Sequence, residues 1–161
     1  IFAFPVAKLL ILPLLMMLLA SVVPAIISWR RDEQVQTGAL DAGNPLDIKN
    51  AVFFAGLYIA TTLLMYYTRE WLSASMVYVS AAITGIADID AITLSTAKWA
   101  STNPEQSTIA QRLILVAIFS NSVFKVSVSL IRGVPALRSG ALKGFGMVIG
   151  AGVLYLVLVG L

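Results

Sequence analysis

Three ionisable side chains stand inside otherwise apolar sequence. Asp88-Ile89-Asp90 interrupts an uncharged run that begins at Ser75 and resumes to Ala97, and Lys125 sits within a second run between Asn103 and Ile131. A charge at the centre of a membrane helix costs about 2.5 to 3.5 kcal/mol on insertion scales, so these three are not expected to face lipid. Neutral oxygen donors lie close to them in sequence or on the same helical face: Thr84, Thr93, Ser95 and Asn121. Carboxylates combined with hydroxyl and amide oxygens are hard donors, suited to Mg²⁺, Na⁺ or a proton and unsuited to zinc or copper. No cofactor is expected. A bound Mg²⁺ or Na⁺ is the one candidate ligand, and the identity of any metal is left open.

Spacing sharpens this. Positions i and i+2 differ by about 200° around an ideal helix, so Asp88 and Asp90 share a face only if the helix breaks. One of them would then cap a second half-helix beginning near Ala91. On the next segment, Asn121, Lys125 and Ser129 follow one another at four-residue intervals and line one face. The economical arrangement sets that face against the break, with Lys125 neutralising a carboxylate. Such a cluster is either a pathway for an ion or proton, or a buried ion pair that only fixes helix register.

Other chemistries are excluded by composition. The chain has no cysteine and no histidine, which removes thiolate and imidazole metal sites and every nucleophile activated by histidine. Gly85-Ile86-Ala87-Asp88 is near the Gly-x-Gly-Asp of intramembrane aspartyl proteases. Those enzymes need a second aspartate on another helix, and the remaining apolar cores hold none. No enzyme is expected. The net charge of +3 is not gathered into a basic stripe, so nucleic acid is not an expected partner.

The elements that must position the cluster follow from hydropathy. Of 161 residues, 59% are hydrophobic and 12% charged, against about 25% charged in a soluble domain. The lipid bilayer is therefore the expected partner. Five apolar segments are expected: Val6 to Ile27, Asn44 to Tyr67, Ser75 to Ala97 with its acidic interruption, Asn103 to Ile131, and Leu137 to Leu161. Asn44-Pro45 and Asn103-Pro104 read as helix starts. Trp29, Trp71 and Trp99 fall at segment ends, where a membrane interface favours them. The expected fold is an all-α, polytopic transmembrane bundle with one broken or re-entrant segment carrying Asp88-Ile89-Asp90. Gly140, Gly144, Gly146 and Gly150 give the last segment two Gly-x-x-x-Gly pairs, for close packing within the chain or for a homodimer.

The basic residues bear on topology. If all five segments cross, Lys and Arg divide five against five. If the third segment enters and returns, they divide six against four, or six against three without Lys8 in the first segment, which favours the re-entrant form with the 32–43 connection cytoplasmic.

The run Gly85-Ile86-Ala87-Asp88-Ile89-Asp90-Ala91-Ile92-Thr93-Leu94-Ser95, with Asn44-Pro45-Leu46-Asp47 before it and Ser120-Asn121 and Lys125 after it, resembles the uncharacterised C-terminal membrane domain of bacterial MgtC/SapB-type proteins. The likeness covers about residues 44 to 155. It implies a multi-pass protein of the bacterial inner membrane and an internally duplicated domain. Residues 1–31 would then be the last helix of the first half, and 44–161 the second half. Ile1 is not a translation start, so the chain is expected to be part of a longer protein. The resemblance supplies no activity. The function expected from the residues is transport of a hard cation or a proton-coupled solute, with a non-transporting membrane regulator or assembly subunit as the alternative.

Overall fold

A computed structural model of the chain describes residues 4–29, 48–71, 73–133 and 135–159, and all its regular structure is helical. The order is α1 (Phe4–Trp29), α2 (Ile48–Trp71), α3 (Ala74–Ala87), α4 (Ile89–Thr102), a single 3₁₀ turn (Pro104–Gln106), α5 (Ser107–Arg132) and α6 (Pro135–Val159). The five expected segments are present, the third divided in two by its acidic interruption. Among the described residues, the α1, α5 and α6 stretches are each long and apolar enough to cross a membrane. They turn large side chains such as Leu18, Leu19, Val157 and Leu158 outward. In water that exposure would cost about 1.5 to 3 kcal/mol per residue; against lipid it costs nothing. This is an integral membrane protein.

Helix α5 is the centre. One face joins a cluster of Val6, Leu10 and Met17 from α1, Ala100 from α4 and Tyr155 from α6 around Ala110, Ile114 and Leu115. The other joins Met65 from α2, Val77 and Ala81 from α3 and Ile92 from α4 around Leu113 and Ala117. Helix α1 stays continuous through Pro13, although proline has no N–H for the carbonyl four residues back. That carbonyl, on Leu9, accepts from Gln111 Nε2 of α5 at 2.9 Å, and the same amide donates to Tyr155 Oη at 2.7 Å. A fully buried glutamine thus repairs the proline gap and ties α1, α5 and α6 together.

The broken segment is a hairpin. Helices α3 and α4 have 14 residues each, about 21 Å of helix, too short for a hydrocarbon core about 30 Å thick. Helix α4 runs antiparallel to α5 across the 103–106 turn: Ala100 clusters with Ala110 near the turn, and Ile92 with Leu113 and Ala117 farther from it. A rod continuing through Asp88 would lay α3 along residues 122–132 of α5. Instead α3 packs on the stretch that α4 already borders. Val77 and Ala81 cluster with Leu113 and Ala117, Ser120 Oγ donates to the Ala82 carbonyl at 2.8 Å, and Asn121 Nδ2 donates to the Gly85 carbonyl at 2.8 Å. The chain therefore goes in along α3, turns at Asp88 and returns along α4. Asn121, at the tip, lies just past the midpoint of the 26-residue α5.

Several expectations are corrected. Asn103-Pro104 opens the next segment by position, with Asn103 as N-cap and Pro104 first in the 3₁₀ turn that leads into α5. The Asn103 side chain, however, turns back to the Trp99 carbonyl at 3.0 Å and to Thr102 Oγ1, closing α4. The connection is so tight that the 3₁₀ turn receives no side-chain cap. The Asn44-Pro45 start lies outside the described residues. Trp71 is exposed at the end of α2, as expected, whereas Trp99 packs against both hydrophobic clusters. The Gly-x-x-x-Gly pairs of α6 do not serve packing within the chain. A Cβ added at Gly140, Gly144, Gly146 or Gly150 would meet nothing within 4 Å; the close approaches between helices are at Gly85, against Ala117, and at Gly152 of α6, against Met17 and Phe119.

Candidate functional site at the hairpin tip

The tip is built from one residue. Asp88 leaves the helix with φ −160° and ψ 125°, extended backbone that stops α3 and starts α4. Its N–H still closes α3 on the Thr84 carbonyl at 2.8 Å. Its carboxylate accepts from Asp90 N–H at 3.0 Å and Ala91 N–H at 3.2 Å. Asp88 is thus the N-cap of α4, and its charge lies where the helix dipole favours an anion. The expected cap is present, with the half-helix starting at Ile89. Of the carbonyls at the end of α3, Thr84's is taken by Asp88 N–H and Gly85's accepts from Asn121 of α5, while Ser120 adds a bond to the Ala82 carbonyl one turn earlier. A helix end in lipid survives only with such partners.

Asp90 differs from Asp88. It lies in the first turn of α4, is exposed, and makes no side-chain hydrogen bond or ion pair to any described residue. Asp88 is half-buried and engaged. The two carboxylates therefore have separate tasks: one builds the tip and the other stands free on it.

Lys125 does not occupy the place expected of it. It is exposed and forms no ion pair with Asp88 or Asp90. The physical reason is that Asn121, not Lys125, meets the break, and the Asp88 oxygens are already taken by backbone N–H groups. Lys125 lies on the same side of α5 one turn beyond Asn121, about 6 Å along the axis. Because α5 runs antiparallel to α4, that is past the tip rather than beside it. Ser129, the third member of the face, contacts the Leu137 carbonyl at 3.4 Å instead.

Of the neutral donors, Thr84 is buried and its hydroxyl donates to the Ser80 carbonyl at 2.5 Å. Thr93 Oγ1 and Ser95 Oγ are buried without a partner, and so are Thr96 Oγ1, Thr62 Oγ1 and Arg112 Nε. Thr62, Thr96 and Gln111 carry no signal in the sequence alone. The two threonines carry no charge to mark them in an apolar run, and Gln111 meets a carbonyl 102 residues away. Among the described residues no three acidic side chains converge, so neutral oxygens would have to complete any cation shell here. An open groove of about 540 Å³ between α3 and the outer half of α5 is apolar apart from Ser120 and Ser127. It offers an ion nothing.

A family model described as "Domain of unknown function (DUF4010)" matches residues 1–133, from the start of the chain through α5. An uncharacterized protein of Aquifex aeolicus (strain VF5) is 28% identical over 130 residues, covering 81% of this chain and 56% of that protein. The chain thus spans little more than half the length of that curated relative. No solved structure matches. The likeness to MgtC/SapB-type proteins receives no support from these matches.

Proposed function

The chain belongs to the DUF4010 family, and on that premise we propose that it is the helical core of a transport protein whose cation or proton pathway passes the tip of the α3–α4 hairpin. The observation that carries this is a free, exposed carboxylate, Asp90, at the mid-depth turn of a hairpin too short to cross. A charge there is tolerated only where water or a permeating ion reaches it. Discontinuous helices meeting near the midplane are a recurring way of exposing helix ends and carboxylates to an ion. Asp90 would be the ion or proton carrier and Asp88 the scaffold of the turn. Lys125, one turn farther out, would be a fixed cation on the approach. Transport is favoured over catalysis because the only other acids among the described residues, Glu70 and Glu105, lie at helix ends.

The test is flux in vesicles reconstituted with the full-length protein, loaded with a proton- or Mg²⁺-sensitive dye and given a gradient. Asp90→Asn should cut flux by at least about tenfold, the factor that follows from losing about 1.4 kcal/mol of charge–ion interaction. Asp88→Asn should keep its cap, since asparagine caps as well as aspartate, so it separates tip folding from tip charge. Flux indifferent to Asp90→Asn would overturn the proposal.

One observation favours the alternative of an assembly or regulatory subunit. The open faces of Gly140, Gly144, Gly146 and Gly150 would admit a helix of a second copy or of another membrane protein. Under that reading α6 would carry the function and the tip only fold.

A further inference from the structure

Arg112 stands inside the apolar span of α5 that begins at Pro104, about 12 Å along the helix axis from that start. The residue is half-buried, and its Nε is sealed from water without a hydrogen bond. It forms no ion pair with any described residue. Arg138, at the opposite end of the bundle, has its Nε donating to the Gly133 carbonyl at 2.7 Å. A cation at membrane depth is expensive without a counter-charge, and this chain supplies Arg112 with none among the described residues. Its place on α5 shows what lies beside it. Steps of four, seven and eleven residues return to nearly the same angle of a helix, so Arg112, Val116, Phe119 and Val123 form one stripe. The last three make the α5 wall of the open groove of about 540 Å³, whose other wall is Ala82 and Ile86 of α3. Arg112 therefore stands at the head of that groove, one turn nearer the start of α5. Long side chains lean toward the N-terminus of their helix, which here carries the guanidinium toward the membrane surface.

We propose that Arg112 and this groove bind one phospholipid with an anionic headgroup. The guanidinium holds the phosphate, and an acyl chain lies between α3 and α5. Arginine suits phosphate because its planar fork donates two parallel hydrogen bonds to two oxygens. Basic pockets between membrane helices take anionic headgroups on the same principle. The groove has the size and character of a ligand site, which typically measures about 300 to 1,000 Å³ and is mostly apolar with few polar groups. Charge selects the headgroup. A phosphatidylcholine would bring a quaternary ammonium beside an unpaired guanidinium, whereas a phosphatidylglycerol brings only the balancing anion. The chain would pack on Ala82 and Ile86, on the arm of the hairpin that ends at Asp88. This site does not depend on whether the tip carries an ion.

The test is native mass spectrometry of the full-length protein, released from mixed micelles that hold equal amounts of phosphatidylglycerol and phosphatidylcholine. The wild-type protein should retain phosphatidylglycerol over phosphatidylcholine by about tenfold or more, the scale of charge-assisted hydrogen bonds to a phosphate. Arg112→Gln should abolish that preference. Val123→Trp, which fills the groove from an exposed position and leaves the charge in place, should weaken retention of phosphatidylglycerol. Lys98→Gln removes an exposed cation near the same end of the bundle and should leave the preference intact. If Arg112→Gln does not fold, Arg112→Lys replaces it: it keeps the charge, loses the fork, and should reduce the preference without abolishing it. Equal retention of the two lipids by the wild-type protein would overturn the proposal, and so would an undiminished preference in the Arg112 variant. A loss in Lys98→Gln as complete as in Arg112→Gln would mean attraction to surface charge alone, and retention indifferent to Val123→Trp would mean that no chain lies in the groove. Either result would refute the site.

Discussion

Gly85→Ala should be the most damaging single-methyl change in the bundle, destabilising it by about 3 kcal/mol, the upper end of ordinary overpacking. A Cβ at this position would lie 2.5 Å from Ala117 Cα, 2.6 Å from its carbonyl oxygen and 2.8 Å from its Cβ. Those atoms belong to a helix backbone, so the clash is relieved only by moving α3 off α5. That movement would also break the bond from Asn121 to the Gly85 carbonyl at the end of α3 and the bond from Ser120 to Ala82. Gly146→Ala is the control: its Cβ meets nothing, and alanine's better helix propensity offers up to about 1 kcal/mol. Gly152→Ala falls between, since its neighbours are the ends of the Met17 and Phe119 side chains, which can swing aside. Unfolding in a denaturing detergent series measures all three. Equal behaviour of Gly85→Ala and Gly146→Ala would mean that α3 and α5 do not meet at Gly85.

Gln111→Leu should cost about 1 to 2 kcal/mol, and the loss should depend on Pro13. Hydrogen bonds between membrane helices average about 0.6 kcal/mol and reach about 1.7. Gln111 makes two of them while being 2% exposed, and its removal leaves the Leu9 carbonyl with no donor. In a Pro13→Ala background, residue 13 regains an N–H that can reach that carbonyl. Gln111→Leu should then cost about 0.5 to 1 kcal/mol less, a coupling of the size double-mutant cycles resolve. Strict additivity would show that the glutamine does not serve the proline gap.

How much of this was legible in the sequence depends on whether the signal was local. The break was legible because Asp88 and Asp90 cannot share a face of a continuous helix, a constraint that needs no tertiary knowledge. The cap followed from the same two residues. Membrane embedding was legible from the charge deficit and the lengths of the apolar runs. The partner of the break was only half legible: Asn121 was named, but so was Lys125, because charge economy says which groups should pair and not which turn of α5 comes level with the tip. The glycines of α6 were noted for their spacing, yet close packing depends on what lies opposite. A lone Gly85, with no glycine four residues away, is the position that a neighbouring backbone crowds. The repair of Pro13 by Gln111 was beyond reach, since it joins residues remote in sequence through a bond that only the folded bundle creates. Asn103-Pro104 marked the start of the next segment correctly, but the same Asn103 also ends α4, because only four residues separate the two helices and its side chain serves the earlier one.

Everything proposed for the tip depends on α3 and α4 entering and returning on one side of the membrane. Ser73, before α3, and Ser101, in the last turn of α4, are both exposed. Ser73→Cys and Ser101→Cys, made singly in a chain without native cysteine, can be challenged with an impermeant maleimide added to either face of sealed vesicles. The hairpin predicts that both react from the same face and that both are protected from the other. Reaction from opposite faces would make α3 and α4 one crossing segment, remove Asp90 from a re-entrant tip, and contradict the account.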